Sequence, residues 1–282
     1  MKLALPNIAL KRGSVEELAA AVAGYGADAV QWFQGLAAGV PDAETSRRVR
    51  RACQAHGIAV DHVGAYVNPV GLGPEQRRAG VAHLTGFCRV AKELGVTTLA
   101  TFSGTVSEGT ALQWNPETHS EASYETFVET MRRVMPVAEA EGVTIAIEPF
   151  VVTVVKDPDT FLRAFRDVGS PNLGLAMDVV NFYWPDDIEQ PRSNQLMTEC
   201  FEKTRQHIAV VHVKDLAPQD GERPTPGKAK IGGGMLDFAH FARCVRGSGY
   251  RGRLSVEHLG RPEEEIPGVL AFVRGLFEEK AT

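Results

Sequence analysis

Short apolar runs alternate along this chain with stretches whose apolar positions recur every three to four residues. The runs are Leu3–Leu10, Asp28–Phe33, Ile58–Ala65, Val96–Phe102, Val143–Glu148, Leu173–Asp178, Ile208–Lys214 and Arg253–His258. Each reads as a strand. Helix signals fall between them. Ser14-Val15-Glu16-Glu17 is a capping box, and Asp42 caps a helix running to about Ala55. Pro74 suits the first turn of a third, which carries Leu84, Phe87, Val90, Ala91 and Leu94 at helical spacing. A fourth spans roughly Glu121–Glu141, Asp157-Pro158 opens a fifth, and a sixth covers about Gln195–Gln206. Asp237 caps a seventh, and Pro262 opens an eighth ending near Lys280.

Eight strands alternating with eight helices predict an α/β chain, either a closed parallel barrel or a long doubly wound sheet. No G-x-G-x-x-G follows the first strand, so the dinucleotide-binding sheet loses its main support and a (β/α)8 barrel is expected. No linker rich in Pro, Gly or Ser divides the 282 residues, so one domain over 1–282 is expected. Two long loops follow strands, Ser103–Ser120 with Trp114 and Ala217–Gly234 with its lysines and glycines. In a barrel both belong to the C-terminal face, where active sites are built.

Side-chain alternation then picks out the chemistry. In Val143–Glu148 the bulky Val143, Ile145 and Ile147 share one face, while Thr144, Ala146 and Glu148 share the other. The small face suits a crowded barrel interior with the carboxylate at its rim. By the same parity Asp178 lies with Gly174 and Ala176, His212 with Ile208 and Val210, and Glu257 with Ser255. Glu148, Asp178, His212 and Glu257 therefore end four successive strands and point into one mouth. Three carboxylates at one mouth repel one another unless protonated or neutralised by a cation. A divalent ion held by the three carboxylates and the imidazole resolves this. The oxygen-rich donor set favours Mn²⁺ or Mg²⁺ over Co²⁺, Fe²⁺ or Zn²⁺.

Bulk properties narrow the function. A net charge of -5 argues against a nucleic-acid partner bound through phosphates. No apolar run approaches the roughly 20 residues of a membrane span, and Met1–Pro6 is too short for a secretory h-region. Cys53, Cys88, Cys200 and Cys244 are scattered without a C-x-x-C pair. They read as reduced thiols of a cytoplasmic protein.

The chain resembles the sugar phosphate isomerase/epimerase family with the xylose isomerase-like TIM barrel. The resemblance rests on Ile145-Ala146-Ile147-Glu148-Pro149, Leu175-Ala176-Met177-Asp178, Val211-His212-Val213-Lys214-Asp215, Gly232-Gly233-Gly234-Met235-Leu236-Asp237-Phe238 and Leu254-Ser255-Val256-Glu257. It implies one catalytic metal, often Mn²⁺, on Glu148, Asp178, His212 and Glu257. Glu148 and Glu257 would flank a carbohydrate substrate as acid and base, and a homodimer or homotetramer is implied. Two positions depart from relatives that epimerise ketoses at C3, and a third departs from the family more widely. Asn181 stands three residues after Asp178 where they carry His, and Pro218 six after His212 where they carry Arg. Gln31 ends the second strand where Glu is frequent.

The residue types suit removal of a proton beside a carbonyl, giving an enediolate. Return to the opposite face is epimerisation, and return to the neighbouring carbon is aldose–ketose isomerisation. Loss of a β-substituent makes the same scaffold a lyase, such as an inosose or dehydroshikimate dehydratase or a C-glycoside-cleaving subunit. His62, Asn181, Lys214 and Trp114 are expected to bind substrate, with Phe150 and Trp184 as further walls. Loop amides at Gly232–Gly234 with Lys228 and Lys230 offer a phosphate cradle. His119 and His258 are not expected to bind metal.

Overall fold

The computed structural model describes residues 1–71, 73–107, 112–217, 227–257 and 262–278. Eight parallel strands close into a barrel: β1 Leu3–Pro6, β2 Ala29–Phe33, β3 Ala59–Gly64, β4 Thr98–Phe102, β5 Thr144–Glu148, β6 Leu173–Met177, β7 Ile208–Val213 and, last in the ring, β10 Leu254–Val256. The helices are α1 Val15–Gly24, α2 Ala43–Ala55, α3 Pro74–Leu94, α4 Glu121–Glu141, α5 Pro158–Val168, α6 Arg192–Thr204, α7 Phe238–Ser248 and α8 Pro262–Phe277. Between β7 and α7 the expected loop instead holds a short antiparallel pair, β8 Asp215–Ala217 with β9 Gly227–Ala229. Among the described residues no helix is long and apolar enough to cross a membrane.

Local chemistry sets most boundaries. Ser14 and Glu17 form both halves of the capping box on α1. The Asp42, Asp157 and Asp237 carboxylates accept the N–H groups of Thr45, Thr160 and His240 at the starts of α2, α5 and α7. The first strand ends at Pro6 rather than Leu10, and Asn7–Ala9 turns as a 3-10 helix. Asn7 replaces the lost ladder with its side chain. Its Nδ2 donates to the Phe33 carbonyl (3.1 Å), and its Oδ1 accepts from the Phe33 N–H (2.8 Å).

The predicted two faces are present. Ile145 and Ile147 are fully buried with Leu3, Leu5, Leu99, Leu175, Val211 and Leu254 in the layer beneath the helices. Inside the barrel Ala100, Ala146, Ala176 and Val210 pack together. The interior is crowded: a Cβ on Gly174 would stand 2.7 Å from Thr144 Cγ2 and 3.1 Å from Ala209 Cβ. Small side chains fill the barrel axis, so the larger polar side chains collect at the C-terminal ends of the strands, as in other barrels of this kind.

Candidate metal centre at the C-terminal mouth

Register brings the four strand-end residues together. Ser255 pairs with His212, and Met177, just before Asp178, pairs with Val211. Each of Glu148, Asp178, His212 and Glu257 offers a ligand atom, and these atoms all lie within 4.8 Å of one another. His212 Nδ1 is 3.6 Å from Glu148 Oε2, 3.7 Å from Asp178 Oδ2 and 3.5 Å from Glu257 Oε1. Ligands sharing an ion at 2.0–2.2 Å stand roughly 3 Å apart when adjacent and about 4.4 Å apart when opposite. The cluster is close to that spacing.

The unsatisfied atoms point the same way. Asp178 Oδ1 and both His212 nitrogens are buried without a hydrogen bond, and Asp178 Oδ2 has only the Lys214 ammonium against it. Such atoms are costly unless something binds them, so the donor set fits a divalent cation. Around β10, β7, β6 and β5 the order is Glu257, His212, Asp178, Glu148. The two glutamates are thus the outer members of the arc.

Lys214, two residues beyond His212, is also drawn in. Its ammonium lies 3.2 Å from Glu148 Oε1, 3.0 Å from Glu257 Oε2 and against Asp178 Oδ2, and the side chain is 4% exposed. Burial raises the Glu148 carboxyl, but Lys214 and His212 outweigh that and hold it well below the usual range. Glu257 is likewise raised by burial and pulled down to about 2 by His212 and Lys214. Burial lowers His212, and the Glu257 and Glu148 carboxylates reverse this and hold it well above its ordinary value.

Further side chains fix the glutamates. Asn181 Nδ2 donates to Glu148 Oε1 at 2.7 Å, and the Tyr66 hydroxyl donates to Glu148 Oε2. Burial and the Glu148 charge push the Tyr66 phenol well above its usual value, so it stays a donor. Gln31 Nε2 donates to Glu257 Oε1 at 2.9 Å, and Ser255 Oγ donates to Gln31 Oε1 at 2.8 Å. That chain fixes which way the Gln31 amide faces. Sequence reasoning missed Tyr66. The available signal was parity, since His62, Gly64 and Tyr66 share a face at the end of β3.

A cavity of about 320 Å³ opens above this floor, lined by Glu148, Glu257, Lys214, Gln31 and Tyr66 and by Pro6, Ile8, Phe33, Phe102, Leu112 and Phe150. Of the expected substrate residues, Lys214 lines it, while Asn181 lies behind Glu148. Trp114 is not among the lining residues; its ring stands edge-on to Trp184 at 5.5 Å and to His119 at 4.8 Å. His62 lies below the cluster. Its ring stacks on His212 at 5.6 Å, its Nδ1 is 2.9 Å from Asp61 Oδ2, and it lines a second cavity at the opposite end of the barrel. The amides of Gly232 and Gly234 are not free for phosphate: both donate to Asp215 Oδ2 at 2.9 Å. Pro218, His258 and the Lys228 side chain lie outside the described residues.

Comparison with known proteins places this architecture. A family model described as xylose isomerase-like TIM barrel matches residues 19–276. Among solved structures, a 3-keto-D-glucoside 4-epimerase from E. coli in its apo form superposes with a TM-score of 0.74 at 16% identity, covering 98% of this chain and 99% of that one. A probable 3-DHS dehydratase of petrobactin synthesis from Bacillus anthracis gives 0.74 at 13% identity, covering 97% and 99%. A D-psicose 3-epimerase with D-tagatose from Clostridium cellulolyticum H10 gives 0.73 at 15% identity, covering 99% and 100%. At these identities the likeness is one of fold. No curated protein matches the chain by sequence.

Proposed function

The chain belongs to the xylose isomerase-like TIM barrel family, and from that premise we propose that it is a divalent-metal-dependent isomerase or epimerase of a keto-sugar or sugar derivative. The observation that carries the reading is the cluster of four ligand atoms within 4.8 Å of one another at the floor of the mouth cavity. Glu148, Asp178, His212 and Glu257 would hold the ion. Manganese is the preferred ion because three of the four donors are carboxylates. Charge supports the assignment: a divalent ion with the Lys214 ammonium balances the three carboxylates once His212 is neutral. When bound, the ion supplies Lewis-acid stabilisation of the negative charge that develops on substrate oxygens.

The remaining steps belong to the chain's own residues. Glu148 and Glu257 reach the cavity from either end of the donor arc. One removes the proton on the carbon beside the carbonyl. The other delivers a proton to the opposite face, or to the adjacent carbon. Asn181 and Tyr66 orient Glu148, and Gln31 orients Glu257. Glu257 is the more open of the pair, 15% exposed against 2% for Glu148. It is therefore the one placed to exchange its proton with water between turnovers. Tyr66, Phe102 and Phe150 line the cavity beside the floor and give the reacting groups apolar neighbours. A single cytoplasmic domain, working as a homodimer or homotetramer on a small carbohydrate, belongs to the same reading.

The test is Mn²⁺-loaded protein in D₂O with a panel of keto-hexoses and their derivatives, followed by mass spectrometry and NMR. The proposal expects deuterium at the carbon next to the carbonyl with otherwise unchanged mass, lost in Glu257→Gln and in Glu148→Gln. Loss of water or of a substituent would overturn isomerisation in favour of a lyase.

A further inference from the structure

Among the described residues, every polar side chain lining the mouth cavity belongs to its floor and is already engaged there. The Gln31 amide lies between Glu257 and Ser255, the Tyr66 hydroxyl on Glu148, and Lys214 among the three carboxylates. Above them the described lining is carbon: Pro6, Ile8, Phe33, Phe102, Leu112 and Phe150. One wall is a row of rings, with Phe33 stacked on Tyr66 at 5.3 Å and Tyr66 against Phe102 at 4.4 Å. Gly64 makes room for that row, since a Cβ there would lie 2.8 Å from Tyr66 Cε2 and 3.1 Å from Phe33 Cδ2. At the rim Ile8 and Leu112 are 63% and 37% exposed.

An unsubstituted keto-hexose fits this distribution poorly. It carries a hydroxyl on nearly every carbon, and those held away from the floor would be buried against described side chains that offer no partner. A ligand with a polar hydroxyketone at one end and an apolar ring at the other matches both halves. Resting on the metal-centre reading above, we infer that the substrate is an oxidised sugar carrying an apolar, ring-sized substituent, its hydroxyketone on the floor and its aglycone between the Phe33–Tyr66–Phe102 wall and Ile8, Leu112 and Phe150. In such a glycoside the anomeric carbon is blocked, so the carbonyl is on a ring carbon. The substituent extends toward the open rim, where Ile8 and Leu112 give it an apolar cover.

The experiment uses the phenyl and methyl β-glucosides oxidised at C3 to the ketone, with binding to Mn²⁺-loaded protein read by calorimetry and Mn²⁺ binding titrated in parallel. The phenyl compound should bind at least about 10-fold more tightly, the return for removing one phenyl ring from water. Ile8→Asn, at an exposed position that leaves the fold intact, should reduce that preference by about 3-fold or more while methyl-glycoside binding stays within 2-fold. Equal binding of the two glycosides, or tighter binding of a free or phosphorylated keto-hexose, with Mn²⁺ still bound, would overturn the aglycone assignment alone. Failure of the protein to bind Mn²⁺ would remove the metal-centre reading and this inference with it.

Discussion

Replacing Asp215 by alanine should destabilise the fold by about 3–5 kcal/mol. The Asp215 carboxylate is 1% exposed and accepts four backbone N–H groups. Oδ1 takes Leu216 at 2.8 Å and Leu236 at 3.1 Å, and Oδ2 takes Gly232 and Gly234 at 2.9 Å each. Truncation leaves these donors without their acceptor. Each buried orphan costs about 1–3 kcal/mol, and water entering the gap recovers part of the sum. The glycines are needed for this arrangement. A Cβ on Gly234 would stand 2.4 Å from Asp215 Oδ1 and 2.3 Å from the Leu216 carbonyl oxygen. At roughly 2–4 °C per kcal/mol for a chain of this size, melting should fall by about 10 °C. Asp215→Asn keeps one acceptor oxygen but turns an NH₂ toward two N–H donors, so it should lose about half as much. Urea unfolding followed by circular dichroism gives both values. A loss under 1 kcal/mol for Asp215→Ala would refute the claim that this carboxylate ties β8 to the turn before α7.

Further expected outcomes concern the site and the core. Burial pushes the Cys53 and Cys88 thiols up to about 11 and about 12, and Cys200 well above its ordinary value. In native protein at pH 8 a thiol reagent should therefore label half-buried Cys244 first, and equal labelling of all four would contradict the burial. His212 is held above 6.5 in the metal-free fold, so its stabilising charge is complete below that pH and fades as pH rises through the folded value. An ion must displace that proton, and calorimetric Mn²⁺ affinity should accordingly climb from pH 6 to 8, with proton release; a flat profile would argue against His212 as a ligand. Lys214→Met removes a cation that competes for Asp178, so it should tighten Mn²⁺ binding several-fold, and weaker binding would make Lys214 a helper rather than a competitor. Gly174→Ala should cost about 1–3 kcal/mol in chemical unfolding because the barrel interior has no room for a methyl, whereas a neutral result would mean that β6 shifts freely.

The readability of this chain follows from the range of its interactions. Caps at Ser14, Asp42, Asp157 and Asp237 act within three residues, and the sequence displays them directly. Alternation in β5 and β6 sorted Glu148 and Asp178 to the inner face, because a parallel strand covered by helices leaves side chains only two directions. Contacts between distant segments were not legible. Tyr66 reaches Glu148 across 82 positions, and Gln31 reaches Glu257 across 226. The pairing of β8 with β9 joins segments that read as loop, since three-residue strands carry too few positions to show alternation. Pro6 ended the first strand early because Asn7 offered a side-chain substitute for the ladder, a contact visible only once β2 lies alongside. His62 shares parity with the mouth residues but sits one layer lower, and parity gives the face of a strand rather than the depth.

The most direct measurement is the metal content of the protein after Mn²⁺ loading and desalting, taken by plasma mass spectrometry for the native chain and for Asp178→Asn and His212→Gln. Asp178 and His212 carry the buried atoms without hydrogen bonds, and neither residue is an acid/base candidate. One ion per native chain, with at least about 10-fold weaker retention in each variant and an unchanged circular dichroism spectrum, is the predicted result. An undiminished metal content in both variants, or a native chain that retains none, would contradict a metal centre on these four residues.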